Sequence, residues 1–283
     1  MCATCGCGDP SAVRVLNLSS TAYRHDHVHP HDHDHPHDHE HPHEHPHVHD
    51  RQPEPSTRSR TISIEQDLLA KNSALAQSNR RWLAEQHITS VNLMSSPGSG
   101  KTTLLERTIR DLGVRVPVSV IEGDQETTLD AQRIRATGAP VVQINTGAGC
   151  HLDADMLFRG MHELSPMGGS LVFVENVGNL VCPALFDLGE TVRAVIISVT
   201  EGHDKPLKYP HMFAAADVVV VNKTDLLPYV DFDVSRCREN ARAVNPDVEV
   251  LAVSATTGSA LETWYDWLAS IDADAQLARP ASH

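Results

Sequence analysis

Aromatic residues are scarce in this chain: five Phe, four Tyr and three Trp amount to 4% of its 283 residues. With few rings to stack on bases and no clustering among its 23 Lys and Arg, it lacks the basic, ring-lined groove that nucleic acid requires. Long apolar runs are missing as well. No segment approaches the ~18 consecutive apolar residues of a membrane-spanning helix, and cysteines stand where a secretory signal would carry its apolar region. These absences predict a cytoplasmic protein with neither a nucleic-acid nor a membrane partner. Net positive charge is absent too, at −14 overall, but seven of the acids (Asp26, Asp32, Asp34, Asp38, Glu40, Glu44 and Asp50) share one histidine-rich stretch, so the acidity is partly local. In a reducing compartment the six cysteines read as metal ligands or packed thiols rather than as a disulfide framework.

The length allows one α/β domain of about 200 residues with additional segments. Composition divides the chain into an arm over 1–60, a leading helix over 61–88, an α/β domain over 89–275 and a short tail over 276–283. The arm holds the first cysteines, the histidines and a linker of Arg, Ser, Pro and Thr; with so little apolar periodicity it is expected to be disordered. Ser63 and Gln66 resemble a capping box, and Ile64, Leu68, Leu75 and Trp82 approximate one apolar helix face. Beyond them, β-rich runs alternate with helical patterns: 91–95, 118–122, 141–144, 171–175, 194–199, 218–222 and 248–254. That alternation predicts a mostly parallel sheet flanked by helices, one after each strand, including 101–112 before Gly113 and 258–271 near the end.

The run Ser95-Ser-Pro-Gly-Ser-Gly-Lys-Thr102 lies between a predicted strand and a predicted helix. In that setting the backbone of Gly98, Ser99 and Gly100 can approach phosphates, Lys101 can reach the β/γ oxygens, Thr102 can hold Mg²⁺, and Thr103 continues the helix start. Ser95 stands where such loops usually begin with glycine. The alternative, a glycine-rich turn that happens to contain lysine, is disfavoured by the flanking strand and helix. Downstream, Asn222-Lys223-Thr-Asp225 follows a strand at its carboxyl end, where ligands of α/β sheets sit. Asp225 can accept from guanine N1–H and N2–H₂, a donor pair that adenine lacks, so GTP and GDP are the expected nucleotides. Ser254 and Ala255, with Thr256, would bring a backbone N–H towards guanine O6. Two further strand ends face the phosphates. On the first, Asp124 is the foremost candidate for the Mg²⁺ surroundings and Glu126 for positioning water; on the second, Glu175 is another water-positioning candidate and Gly178 could contact the γ-phosphate through its amide. For Glu126 the competing reading is a solvated carboxylate at a helix start, where acids are favoured.

Three groups have metal-ligand chemistry. Cys2, Cys5 and Cys7 are close enough in sequence to reach one ion, and loss of Met1 would add the α-amine of Cys2; such an N/S₃ set suits square-planar Ni²⁺ at least as well as tetrahedral Zn²⁺. A redox pair is the competitor, although no strand precedes it. Cys150, His151 and Cys182 each lie just beyond a predicted strand and form an incomplete three-ligand set that a two-fold dimer would double to six; packed thiols and a core histidine are the alternative. The third group alternates: His25, His27, His29, His31, His33, His35, His37, His39, His41, His43, His45, His47 and His49. Imidazoles bind nickel, zinc and copper alike, so this tract reads as a reservoir of low selectivity or as merely solubilising sequence. Cys237, in a predicted helix, reads as a structural thiol.

Cys2-x-x-Cys5-x-Cys7, the histidine tract, Ser96-Pro-Gly-Ser-Gly-Lys-Thr102, Glu122-Gly-Asp-Gln125, Gly149-Cys-His151, Glu175-Asn-Val-Gly-Asn-Leu-Val-Cys182 and Asn222-Lys-Thr-Asp225 together resemble the hydrogenase nickel-incorporation GTPases of the HypB family. The resemblance covers nearly the whole chain. It implies a dimerising P-loop NTPase domain of the SIMIBI class, with GTP and metal favouring the homodimer. It also implies a tight N-terminal nickel site and a second Ni²⁺/Zn²⁺ site at Cys150, His151 and Cys182 coupled to the nucleotide. Delivery would be to the large-subunit precursor of a [NiFe]-hydrogenase, with a HypA-type accessory protein as partner. A urease-accessory or zinc-delivering GTPase shares the theme, but the chain has no Cys-Pro-His triplet and no CxCC. A nickel or zinc store with a vestigial switch is the remaining alternative, and the intact Lys101, Thr102, Asn222, Lys223 and Asp225 argue against it.

Overall fold

The computed structural model describes residues 13–18, 57–147 and 149–277. Eight strands form one sheet: β1 (Arg14–Asn17), β2 (Thr89–Ser95), β3 (Val118–Asp124), β4 (Val141–Asn145), β5 (Leu171–Glu175), β6 (Val192–Ser198), β7 (Val218–Asn222) and β8 (Glu249–Ala252). Their order across the sheet is β1-β4-β3-β5-β2-β6-β7-β8, parallel throughout except for β1. Strands such as Val218-Val-Val-Val-Asn222 are buried along their whole length, as expected when helices cover both faces of a parallel sheet.

Alternation along each strand builds the two covered faces. Leu93 and Phe173 point towards α2 (Lys101–Leu112), α3 (Leu129–Arg135) and α8 (Leu261–Leu277), meeting Leu104, Ile134 and Trp264. The buried Trp264 indole donates to Thr108 Oγ1 at 3.0 Å, satisfying its polar atom inside the apolar layer. On the opposite face, Ile121, Val172 and Val174 pack with α1 (Thr57–Glu85) and α4 (Ala154–Leu164) through Leu83 and Leu157. Val195 and Val219 on that face meet α6 (Pro210–Ala214) and α7 (Val234–Val244), after the single turn of α5 (Lys205–Lys208). No helix among the described residues is long and apolar enough to cross a membrane.

Several expectations are corrected. A strand, β1, lies inside the expected arm: it pairs antiparallel with β4, from Arg14 against Asn145 to Asn17 against Val142, and Val13 and Val15 pack on the α1/α4 face. Helix α1 begins at Thr57 and runs through Ser63 and Gln66, so no capping box starts it there. Its expected apolar face is largely outward, with Leu68 53% and Trp82 36% exposed. The packed stripe is Asn72, Ala76, Asn79 and Leu83, a helical spacing read only when asparagine is allowed on the inner face. After β5 there is no α-helix but a single 3-10 turn over Cys182–Leu185, containing Pro183, which cannot donate a backbone bond.

Candidate functional site

Because seven strands are parallel, their carboxyl ends gather the chemically active loops on one edge. The loop between β2 and α2 turns at Gly98 and Gly100, with φ of 74° and 91°. A Cβ on Gly100 would stand 2.5 Å from Asn222 Nδ2, so both conformation and close approach require glycine there. A cleft of about 540 Å³ opens above this loop, lined by residues 95–103, 122–125 and 176–178 together with Asp130, Arg133 and Lys223. A larger hollow of about 630 Å³, near Val114, Pro117 and Met167, lies away from these loops. Lys101, Thr102, Glu122, Asp124, Arg133 and Lys223 line the 540 Å³ cleft.

At its floor, Lys101 Nζ and Thr102 Oγ1 both bind Glu175 Oε1, at 2.7 and 2.6 Å. Glu122 stands in register with Glu175 on the neighbouring strand, and Oε2 of each carboxyl is buried without a partner. Burial first, and then the nearby Glu175 charge, push Glu122 up from 4.5 to about 9. A threonine hydroxyl with two orphaned carboxyl oxygens is an oxygen-donor set that fits Mg²⁺. Sequence reasoning gave Glu122 no role; the available signal was a carboxylate in the otherwise uncharged run Val118-Ser-Val-Ile-Glu122. Arg133 was likewise missed: it lines the cleft and donates to Thr103 Oγ1 at 3.1 Å and Glu106 Oε2 at 2.7 Å.

The remaining phosphate-side candidates separate. Asp124 lines the cleft, but its carboxylate accepts from Gln125 N at 2.6 Å, Thr127 N at 3.2 Å and the Thr127 hydroxyl, which folds its own loop. Glu126 is exposed and is not among the lining residues, and it precedes the helix start at Leu129. Gly178 lines the cleft beside Pro97; a Cβ on it would lie 3.5 Å from Pro97 Cα.

At the base end, Asn222 Nδ2 donates to the Ser99 carbonyl at 3.0 Å and Lys223 Nζ to the Gly98 carbonyl at 2.6 Å, so this motif braces the phosphate loop. Lys223 adopts φ of 62°, uncommon for a residue with a side chain. Asp225 is exposed, and Ser254 Oγ donates to its carboxylate at 2.5 Å. In the segment expected to bring a backbone N–H towards guanine O6, the Ala255 amide donates to Asn222 Oδ1 at 3.0 Å; the same asparagine therefore ties the base loop to the phosphate loop.

Cys150, His151 and Cys182 converge: their ligand atoms all lie within 4.8 Å of one another. None of the three sits in a long helix, and none is held in a disulfide. His151 is buried and its ring stacks on Phe186 at 3.9 Å; burial lowers its pKa, which favours the neutral imidazole that ligates metals. Two thiols and one imidazole suit Ni²⁺ or Zn²⁺ and leave at least one coordination position open. Cys237, by contrast, is fully buried in α7, where burial raises its thiol to about 11, an inert packed residue. Cys2, Cys5, Cys7 and the histidines from His25 to His49 lie outside the described residues.

Residues 89–252 match the CobW/HypB/UreG nucleotide-binding domain. A hydrogenase maturation factor HypB of Rhizobium leguminosarum bv. viciae is 57% identical over 212 residues, covering 75% of this chain and 71% of that protein. Two crystal structures are similar in fold. HypB from Archaeoglobus fulgidus is 41% identical with a TM-score of 0.67, covering 72% of this chain and 99% of that one. HypB from Helicobacter pylori in complex with nickel is 34% identical with a TM-score of 0.68, covering 75% and 99%. The chain therefore belongs to the CobW/HypB/UreG family and, within it, to the HypB hydrogenase maturation factors.

Proposed function

We propose that this protein binds and hydrolyses GTP and uses the cycle to hold and release nickel for maturation of a [NiFe]-hydrogenase. The observation that carries this reading is that both loops facing the phosphate cleft are hydrogen-bonded to the segment bearing Cys150 and His151. From the first, Gln125 Nε2 donates to the Gly149 carbonyl at 3.3 Å, and the Asp124 carbonyl accepts from Thr146 N at 2.8 Å. From the second, Asn176 Oδ1 accepts from Leu152 N at 3.1 Å and Asn179 Nδ2 donates to the Cys150 carbonyl at 3.4 Å. A group that moves when the γ-phosphate leaves thus moves the metal ligands. The nickel-bound relative from H. pylori supports the choice of cargo.

In hydrolysis, water attacks the γ-phosphorus and the bond to the β–γ bridging oxygen breaks, giving GDP and phosphate; positioning and charge neutralisation supply most of the acceleration. Lys101 neutralises β/γ oxygens, Asn222 and Lys223 hold the loop that cradles them, Asp225 selects guanine, and the Gly178 amide senses the γ-phosphate. Glu175 exchanges its bonds to Lys101 and Thr102 for a role beside the attacking water or the metal. Thr102, with Glu175, Glu122 or Asp124, would hold Mg²⁺, which would supply further neutralisation of the phosphates.

Cys150, His151 and Cys182 take Ni²⁺ or Zn²⁺, and pairing of two copies completes the ligand set. Cys2, Cys5 and Cys7 capture nickel tightly and the histidine tract stores it. A HypA-type accessory protein and the hydrogenase large-subunit precursor receive it, in the cytoplasm. Deleting the gene and assaying hydrogenase with and without excess nickel tests this function. Activity lost at ordinary nickel and restored by excess supports it, and undiminished activity at scarce nickel overturns it.

A further inference from the structure

The buried face of α1 contains two asparagines, Asn72 and Asn79, 7% and 2% exposed, where a helix that only docked would carry apolar side chains. Each bridges the same two segments. Asn72 Oδ1 accepts from Ala154 N at 2.9 Å while its Nδ2 donates to the Asp187 carbonyl at 2.7 Å. Asn79 Nδ2 donates to the Ala154 carbonyl and to the Leu188 carbonyl, both at 2.8 Å. Ala154 opens α4 just after Cys150 and His151, and Asp187 and Leu188 follow the turn that begins at Cys182. The two amides therefore set the spacing between the segment that supplies two metal ligands and the segment that supplies the third.

The surrounding geometry fixes α1 against this joint. Gly189, with φ of 86°, passes so close that a Cβ would stand 2.2 Å from the Ala76 carbonyl oxygen. Arg80 binds both oxygens of Asp187 at 2.8 and 3.0 Å, and Arg193 approaches the same carboxylate at 3.4 Å. On the inner side of the joint, the His151 ring lies on Phe186 at 3.9 Å.

We propose that Asn72 and Asn79 are positioning residues for the Cys150/His151/Cys182 metal site, so that α1 acts as a clamp on its geometry. This rests on the reading of those three residues as a metal site.

The test uses the full-length chain carrying Cys2→Ala, Cys5→Ala and Cys7→Ala, in which thiolate-to-metal charge-transfer bands with Co²⁺ or Ni²⁺ arise from Cys150 and Cys182. In that background, Asn72→Ala with Asn79→Ala is expected to weaken metal affinity at least about tenfold, the size of an outer-shell loss. The band is expected to shift as well, with GTP affinity within about twofold of the parent. Asn72→Asp, which keeps the acceptor for Ala154 and loses the donor, gives a smaller loss, and with Arg80→Gln at the exposed ion pair it carries the comparison if the double variant does not fold. Unchanged affinity and band would overturn the clamp. So would equal losses of GTP and metal binding, the sign of a helix that only stabilises the domain. A parent that shows no band, or keeps it after Cys182→Ala, would overturn the metal-site reading itself and the clamp with it.

Discussion

Glu122→Gln isolates the charge balance beneath the phosphate cleft. Glu122 and Glu175 face each other on β3 and β5, 3% and 0% exposed, and Lys101 pairs with Glu175 alone. Burial and the Glu175 charge raise Glu122 from 4.5 to about 9. At neutral pH this side chain is a protonated acid in the folded protein and a carboxylate in the unfolded chain, so the native state holds one proton more. Stability from that proton is complete below the unfolded value and is lost as pH rises from about 4.5 towards about 9. While the difference stays near one proton, the slope is about 1.4 kcal/mol per pH unit, or about 3 kcal/mol between about pH 6 and about pH 8. Glutamine has nearly the same shape and does not titrate. Urea unfolding of nucleotide-free protein at the two pH values is expected to show the variant gaining on the parent by an amount of that order. Parallel pH dependence in both proteins would refute the assignment of Glu122 as a neutral buried acid.

Asp225→Asn is expected to weaken GTP binding by up to about 10⁴ and to improve xanthine-nucleotide binding, because an amide donates to the 2-oxo group; unchanged GTP affinity removes Asp225 from the base site. Deleting 25–49 is expected to lower the number of nickel ions bound without abolishing the tightest, with maturation failing only when nickel is scarce. Equal loss of tight binding in that deletion and in the Cys2/Cys5/Cys7→Ala variant would end the division between capture and storage. Replacing Gln125 and Asn176 by Ala is expected to leave metal affinity at Cys150, His151 and Cys182 nearly independent of nucleotide, and a preserved difference between nucleotide states would exclude these hydrogen bonds as the connection. Each is read by equilibrium titration.

The parallel sheet was legible because its strands are nearly continuous apolar runs: 171–175 and 218–222 have the predicted bounds, and Lys101–Leu112 ends before Gly113 as expected. Motifs that depend on spacing were also legible, and three ligands from two distant loops do meet. What sequence patterning misread was α1, since periodicity counts apolar residues while the inner face uses Asn72 and Asn79 to satisfy backbone groups of other segments. Only tertiary contact makes those amides valuable. β1 was hidden because four residues at a sheet edge, exposed and half-buried in turn, give too short a pattern inside polar surroundings. Glu122 went unassigned because one carboxylate has no recognisable spacing; its neighbour Glu175 comes from another strand. The β1 contacts have a practical consequence: truncation at residue 60 would remove this strand and the first turn of α1, so substitution of Cys2, Cys5 and Cys7 is the cleaner way to silence the arm.

Nucleotide state is proposed to control the metal held by Cys150, His151 and Cys182. In full-length protein with Cys2, Cys5 and Cys7 replaced by Ala, Ni²⁺ and Zn²⁺ affinities at the thiolate site are measured with GDP bound and with a non-hydrolysable GTP analogue bound, alongside oligomeric state. Affinities differing by about 5 to 150-fold, the range of a coupling of ~1–3 kcal/mol, are expected, with the analogue and metal together favouring the dimer. Equal affinities and one oligomeric state in both forms would contradict this coupling and leave these three residues without a part in nickel release.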